Sequence, residues 1–209
     1  MIEFIASLVC HQVPERTLTI GGDLLPFCAR CTGIYSGFLI GVVFQIIVNK
    51  KVNRLPSTWI TAVSVVLILA LISEVLGEKL LLWKLPNEGR LLTGLFCGSS
   101  LSLALFPLLN YFLCQDDTNG SSIGSRSYVT ILVFVSLFFG LHYVSSSFLI
   151  LSAFSVVGIL GCYAVTNLTI AGMVVNWKRR EFRLGSTVVV TSLVLTMFIG
   201  EMVVLMVLG

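Results

Sequence analysis

Charge is what this sequence lacks most. Only 11% of its 209 residues are Asp, Glu, Lys or Arg, against about 25% in a soluble domain. Histidine occurs twice and proline five times. A surface wetted by water on all sides is excluded by so little charge. The net charge is +3, and no basic stripe stands apart from the loops, so there is no footprint for nucleic acid. The Gly-rich nucleotide-phosphate loop and the His-Glu-x-x-His zinc helix are also missing, which removes support for the chemistries they carry. The first nine residues contain Glu3 and no Lys or Arg. They lack the basic start and long apolar run of a secretory signal, so Met1 is expected to be retained.

Apolar residues are abundant. They make up 56% of the chain, and the mean hydropathy is +1.01. A membrane helix needs roughly 20 mostly apolar residues. Six runs meet that need: Thr32–Val48, Thr58–Leu76, Leu91–Leu113, Tyr128–Val144, Phe148–Val175 and Ser186–Leu208. The fourth and fifth are nearly continuous, and the polar patch His142–Ser147 is the expected turn between them; five spans, with that stretch divided differently, is the alternative. The expected fold is all-α: a polytopic transmembrane helical bundle of about six spans over residues 32–209, preceded by a short Cys/His cap over residues 1–31.

Loop charges suggest an orientation. One side carries Lys50, Lys51, Arg54, Arg126, Lys178, Arg179, Arg180 and Arg183, and the other carries Arg16, Arg30, Lys79, Lys84 and Arg90 among several acidic residues. The richer side is expected in the cytoplasm, which puts the N-terminus outside a cell membrane.

The cap holds the densest chemistry. Cys10, His11, Cys28 and Cys31 fall within 22 positions. Thiolate and imidazole are preferred ligands of zinc, copper and iron. Three readings stand. Cys10, Cys28 and Cys31 form a metal site with His11, His142 or a water as fourth ligand. Alternatively, Cys28 and Cys31 are a redox dithiol with Cys10 as resolving partner, Arg30 lowering a thiol pKa. Or the cysteines only hold the cap together. Cys97, Cys114 and Cys162 lie in or at the end of apolar spans, where cysteine serves packing.

Further polar residues gather near the same end. Arg16, Arg30 and Arg90 are candidates for recognising a phosphate, such as a lipid head group, or for pairing with Glu15, Glu78 or Glu88. Glu74 and Glu78 end the second span and Glu201 lies in the last; a carboxylate within a span usually faces protein or water. Gly33, Gly37 and Gly41 on the first span, and Gly94, Gly98 and Ser102 on the third, repeat at the four-residue spacing that lets helices approach closely. These two helices are expected to pack, bringing Arg90 beside the Cys28–Cys31 segment. Membrane lipids are the expected partners, with a homo-oligomer open.

These motifs resemble an uncharacterised family of integral membrane proteins, domain of unknown function 2085. The resemblance rests on Cys10-His11-Gln12, on Pro14-Glu15-Arg16, on the block from Leu25 to Tyr35, and on Asn87, Arg90, Thr93 and Gly94. Thr17 departs from a position where the family often has Ser. The resemblance implies a membrane fold and a shared site in the first half of the chain, and it carries no activity with it.

Overall fold

A computed structural model of the protein describes residues 10, 13–20, 22–48, 52, 54–80, 82–113, 121–144 and 148–178. A single 3-10 turn, Pro14–Arg16, leads into strands β1 (Thr17–Ile20) and β2 (Asp23–Cys28). Five helices follow among the described residues: α1 (Ala29–Val48), α2 (Thr58–Lys79), α3 (Asn87–Leu113), α4 (Ser125–Val144) and α5 (Phe148–Lys178).

The strands pair antiparallel, with Thr17 opposite Cys28 and Ile20 opposite Asp23, and a register irregularity between Thr17 and Thr19. Gly22 sits in the turn at φ 97°, a left-handed conformation that side chains with a Cβ rarely adopt. The cap is therefore a small β-hairpin, an element that the all-α reading did not include. Its sequence does show alternation: Leu18, Ile20 and Leu25 turn inward while Thr19 and Leu24 stay exposed.

α1, α2, α3 and α5 contain segments long and apolar enough to cross a membrane, and α4 contributes a shorter apolar stretch, Ser125–Leu141. Five of the six expected spans thus correspond to helices. The sixth, Ser186–Leu208, lies outside the described residues. α4 ends at Val144 and α5 begins at Phe148, so the boundary between them falls at the expected turn. α1 begins at Ala29, three residues before the expected start, because nothing in Ala29-Arg30-Cys31 opposes a helix. α3 begins at Asn87, directly after Pro86, and takes in the whole Asn87/Arg90/Thr93/Gly94 motif at the three-residue spacing that lines one helix face.

α1 and α3 form the most extensive helix pair, and the small-residue stripes are the reason. A Cβ on Gly37 would collide with the carbonyl of Leu95, and one on Gly98 with the carbonyl of Ile34. One on Gly94 would lie 2.5 Å from the Arg30 carbonyl. Without side chains between them, the two backbones gain dispersion contacts that lipid cannot supply. Further down the same seam, buried Gln45 donates from Nε2 to the carbonyls of Gly41 and Ser102, each at 3.1 Å. α5 approaches α1 in the same manner, where a Cβ on Gly158 would strike the Tyr35 carbonyl. The outer face of α2 is apolar, with Val63, Val66, Leu69, Ile72 and Leu76 exposed, as a lipid-facing helix requires.

Candidate metal centre

Cys10, Cys28 and Cys31 come from three different local structures. Cys10 precedes the 3-10 turn, Cys28 ends β2, and Cys31 lies in the first turn of α1. Hairpin pairing returns the chain so that the end of β2 lies beside the segment entering β1. The sulfur atoms all lie within 4.8 Å of one another, and the residues stand as thiols. Zinc–sulfur bonds of about 2.3 Å would set tetrahedral sulfurs about 3.8 Å apart, so side-chain adjustment of about 1 Å would close the ring on an ion.

The surroundings act on the sulfurs in opposing directions. The Cys28 backbone N–H donates to Cys10 Sγ at 3.2 Å. Such a bond stabilises the thiolate over the thiol. Phe27 and Ile159 are fully buried beside the sulfurs, with Tyr35, Val156 and Tyr163 packed around them. This shell keeps water away and strengthens charge interactions inside it. Opposing ionisation, the neighbouring Cys10 thiol pushes the Cys28 pKa above its ordinary value, with burial adding to the rise and a hydrogen bond from Cys31 offsetting part of it. Three adjacent sulfurs therefore ionise together only with a cation among them.

Behind the thiols lies a charged cluster. Arg30 donates from Nη2 to Glu74 Oε1 at 2.8 Å and to Glu78 Oε2 at 3.1 Å. Arg90 donates to Glu78 Oε1 at 2.8 Å, and Arg16 reaches the same oxygen at 3.2 Å. The Thr93 hydroxyl donates to Glu74 Oε2. Arg90 is only 2% exposed and Glu74 only 3%. The α3 motif is thereby accounted for: Asn87 ties the hairpin by donating to the carbonyls of Glu15 and Thr17, Arg90 and Thr93 hold the α2 carboxylates, and Gly94 admits α1.

The structure gathers Cys10, Cys28, Cys31, Arg16, Arg30, Arg90 and Glu74 at one end of the bundle. Arg90 reaches the Cys28–Cys31 segment through Glu78, which it shares with Arg30. His11 and Glu201 lie outside the described residues. His142 belongs to the last turn of α4, and its side chain also lies outside them. Cys97 is buried within α3 and Cys162 packs beside Phe38, Leu109 and Val165, the packing role expected of them. Sequence reasoning missed Ile159 and Tyr163. They sit on α5, far along the chain in a generic apolar run, and only the Gly158 contact with α1 brings them to the sulfurs.

The part of the chain that builds this arrangement is similar to a known family. Residues 10–104 match the family described as a predicted membrane protein, DUF2085. An uncharacterized protein of Methanocaldococcus jannaschii is 34% identical over 106 residues, covering 49% of this chain and 64% of that protein. An uncharacterized protein of Methanothermobacter thermautotrophicus is 40% identical over 43 residues, covering 21% of this chain and 39% of that one. The chain thus spans less than two thirds of the length of either relative. No solved structure matches it. The DUF2085 region runs from Cys10 through the α3 seam and so contains both the thiols and the charged cluster.

Proposed function

We propose that this membrane protein holds a thiophilic metal ion at one end of its helical bundle, through the thiolates of Cys10, Cys28 and Cys31 with His11 as fourth ligand. Zinc suits a three-sulfur, one-nitrogen set best; copper(I) and iron are the other candidates. The observation that carries the reading is the convergence of three thiols, drawn from a leading segment, a strand and a helix, within 4.8 Å. The bound ion would neutralise sulfurs that repel one another and would fasten hairpin to helix. The charge balance of the loops supports placing this end on the extracytoplasmic face.

The test is elemental analysis of protein purified without chelators, set beside Cys28→Ser/Cys31→Ser. One equivalent of metal in the wild type and none in the variant is expected. Equal, negligible metal in both would end the proposal. Thiol trapping in cells separates it from the dithiol reading: reversible conversion of Cys28 and Cys31 to a disulfide would favour redox exchange, while one reduced state under all conditions favours metal.

A further inference from the structure

The charged cluster behind the thiols is out of balance, and this points to a second ligand that owes nothing to the metal. Among the described residues, three guanidinium groups, Arg16, Arg30 and Arg90, face two carboxylates, Glu74 and Glu78. All three converge on Glu78. The imbalance is buried: Arg90 is 2% exposed. Its Nε and Nη1, together with Nε of Arg30, have no acceptor among the described residues. A buried donor without an acceptor loses its hydration and gains nothing in return, and a buried charge without a counter-charge is costlier still. The helix ends add to the excess. Arg30 and Arg90 occupy the first turns of α1 and α3, whose N-termini are themselves electropositive.

We infer that Arg16, Arg30 and Arg90 form a binding site for an oxyanion, a phosphate group above all. Guanidinium groups present planar, permanently charged donors that match phosphate oxygens. Glu78 shows the geometry at work, since its carboxylate already draws on all three. A phosphate would take up the unused Arg90 and Arg30 donors and supply the missing negative charge. Entry is from the Arg16 side, where the side chain is 37% exposed. The phosphate belongs either to a free anion or to the head group of a lipid at the membrane surface; the recognition chemistry is the same.

The experiment uses the purified full chain in uncharged detergent. Inorganic phosphate is titrated calorimetrically, and native mass spectrometry follows retention of phosphatidylglycerol against phosphatidylcholine. Binding of phosphate identifies the free anion; selective retention of one phosphatidylglycerol identifies the lipid. Arg16→Gln, at the exposed edge, should weaken whichever binds by about tenfold, the loss of one charge-assisted bond. Glu78→Gln should tighten it, because it removes the carboxylate that competes for all three guanidinium groups and adds one unit of positive charge. Should Glu78→Gln fail to fold, Arg16→Gln decides alone. If the wild type binds neither ligand, or if binding is indifferent to Arg16→Gln, water fills the cluster and the inference is wrong.

Discussion

Arg30 Nη2 lies 2.8 Å from Glu74 Oε1, and this bond ties the first turn of α1 to the far end of α2. Glu74 is nearly all buried and Arg30 largely so, with side chains 3% and 16% exposed. Removing one partner of a buried pair costs up to about 3–5 kcal/mol; without Glu74, Arg30 keeps only Glu78, which it shares with Arg16 and Arg90. Glu74→Ala should therefore lower the melting temperature of the purified protein markedly, and the double variant Glu74→Ala/Arg30→Met should recover part of the loss. A double variant no more stable than the single would show that the pair is not coupled.

The α1–α3 seam should be intolerant of any side chain at Gly37 or Gly98, where a Cβ meets backbone carbonyls. Overpacking costs about 1–3 kcal/mol where neighbours can move, and backbone moves least. Gly37→Val and Gly98→Val should each reduce folded yield in detergent by size-exclusion chromatography. Gly140→Val is the control, since nothing lies within 4 Å of a Cβ there; it should behave as wild type.

The metal-free and metal-loaded forms should answer oppositely to pH. Cys10 raises the Cys28 pKa in the folded chain, so the fold prefers the protonated thiol. That contribution is present in full below the ordinary thiol pKa of about 8.5 and is lost as pH rises through the raised value. The metal-free protein should lose thermal stability in the alkaline range. Zinc requires thiolates, so loading should release protons, remove that alkaline loss and introduce an acid-side loss as the sulfurs are protonated. Melting curves with and without zinc from acid to alkaline pH would show the crossing; parallel curves would contradict it.

Labelling can fix the orientation. With the thiol end outside, Leu82→Cys, in the exposed α2–α3 connection, should react with a membrane-impermeant maleimide on intact cells. Arg126→Cys, at the start of α4, should react only after permeabilisation. The reverse pattern would place the thiols on the cytoplasmic side.

Much of this architecture was legible in the residues. Apolar runs bounded by polar loops locate helices because lipid leaves the backbone no other way to satisfy its hydrogen bonds. Glycine at four-residue spacing on the first and third spans marked the seam that now brings Arg30 near Gly94. The β-hairpin was hidden by its brevity: four and six residues with Pro26 among them give too little pattern to distinguish a strand from a loop. The neighbours of the sulfurs on α5 were hidden for a different reason. Ile159 and Tyr163 look like any membrane-span residues, and only tertiary packing selects them. The pairing within the charged cluster was open for a third reason, since Glu15, Glu78 and Glu88 are equivalent acids in sequence and differ only in where the helices end.

No linker separates β2 from α1: Cys28 is the last residue of the strand and Ala29 the first of the helix. An ion shared by the three sulfurs would therefore join the chain before the hairpin, the end of the hairpin and the start of the first membrane helix at one point.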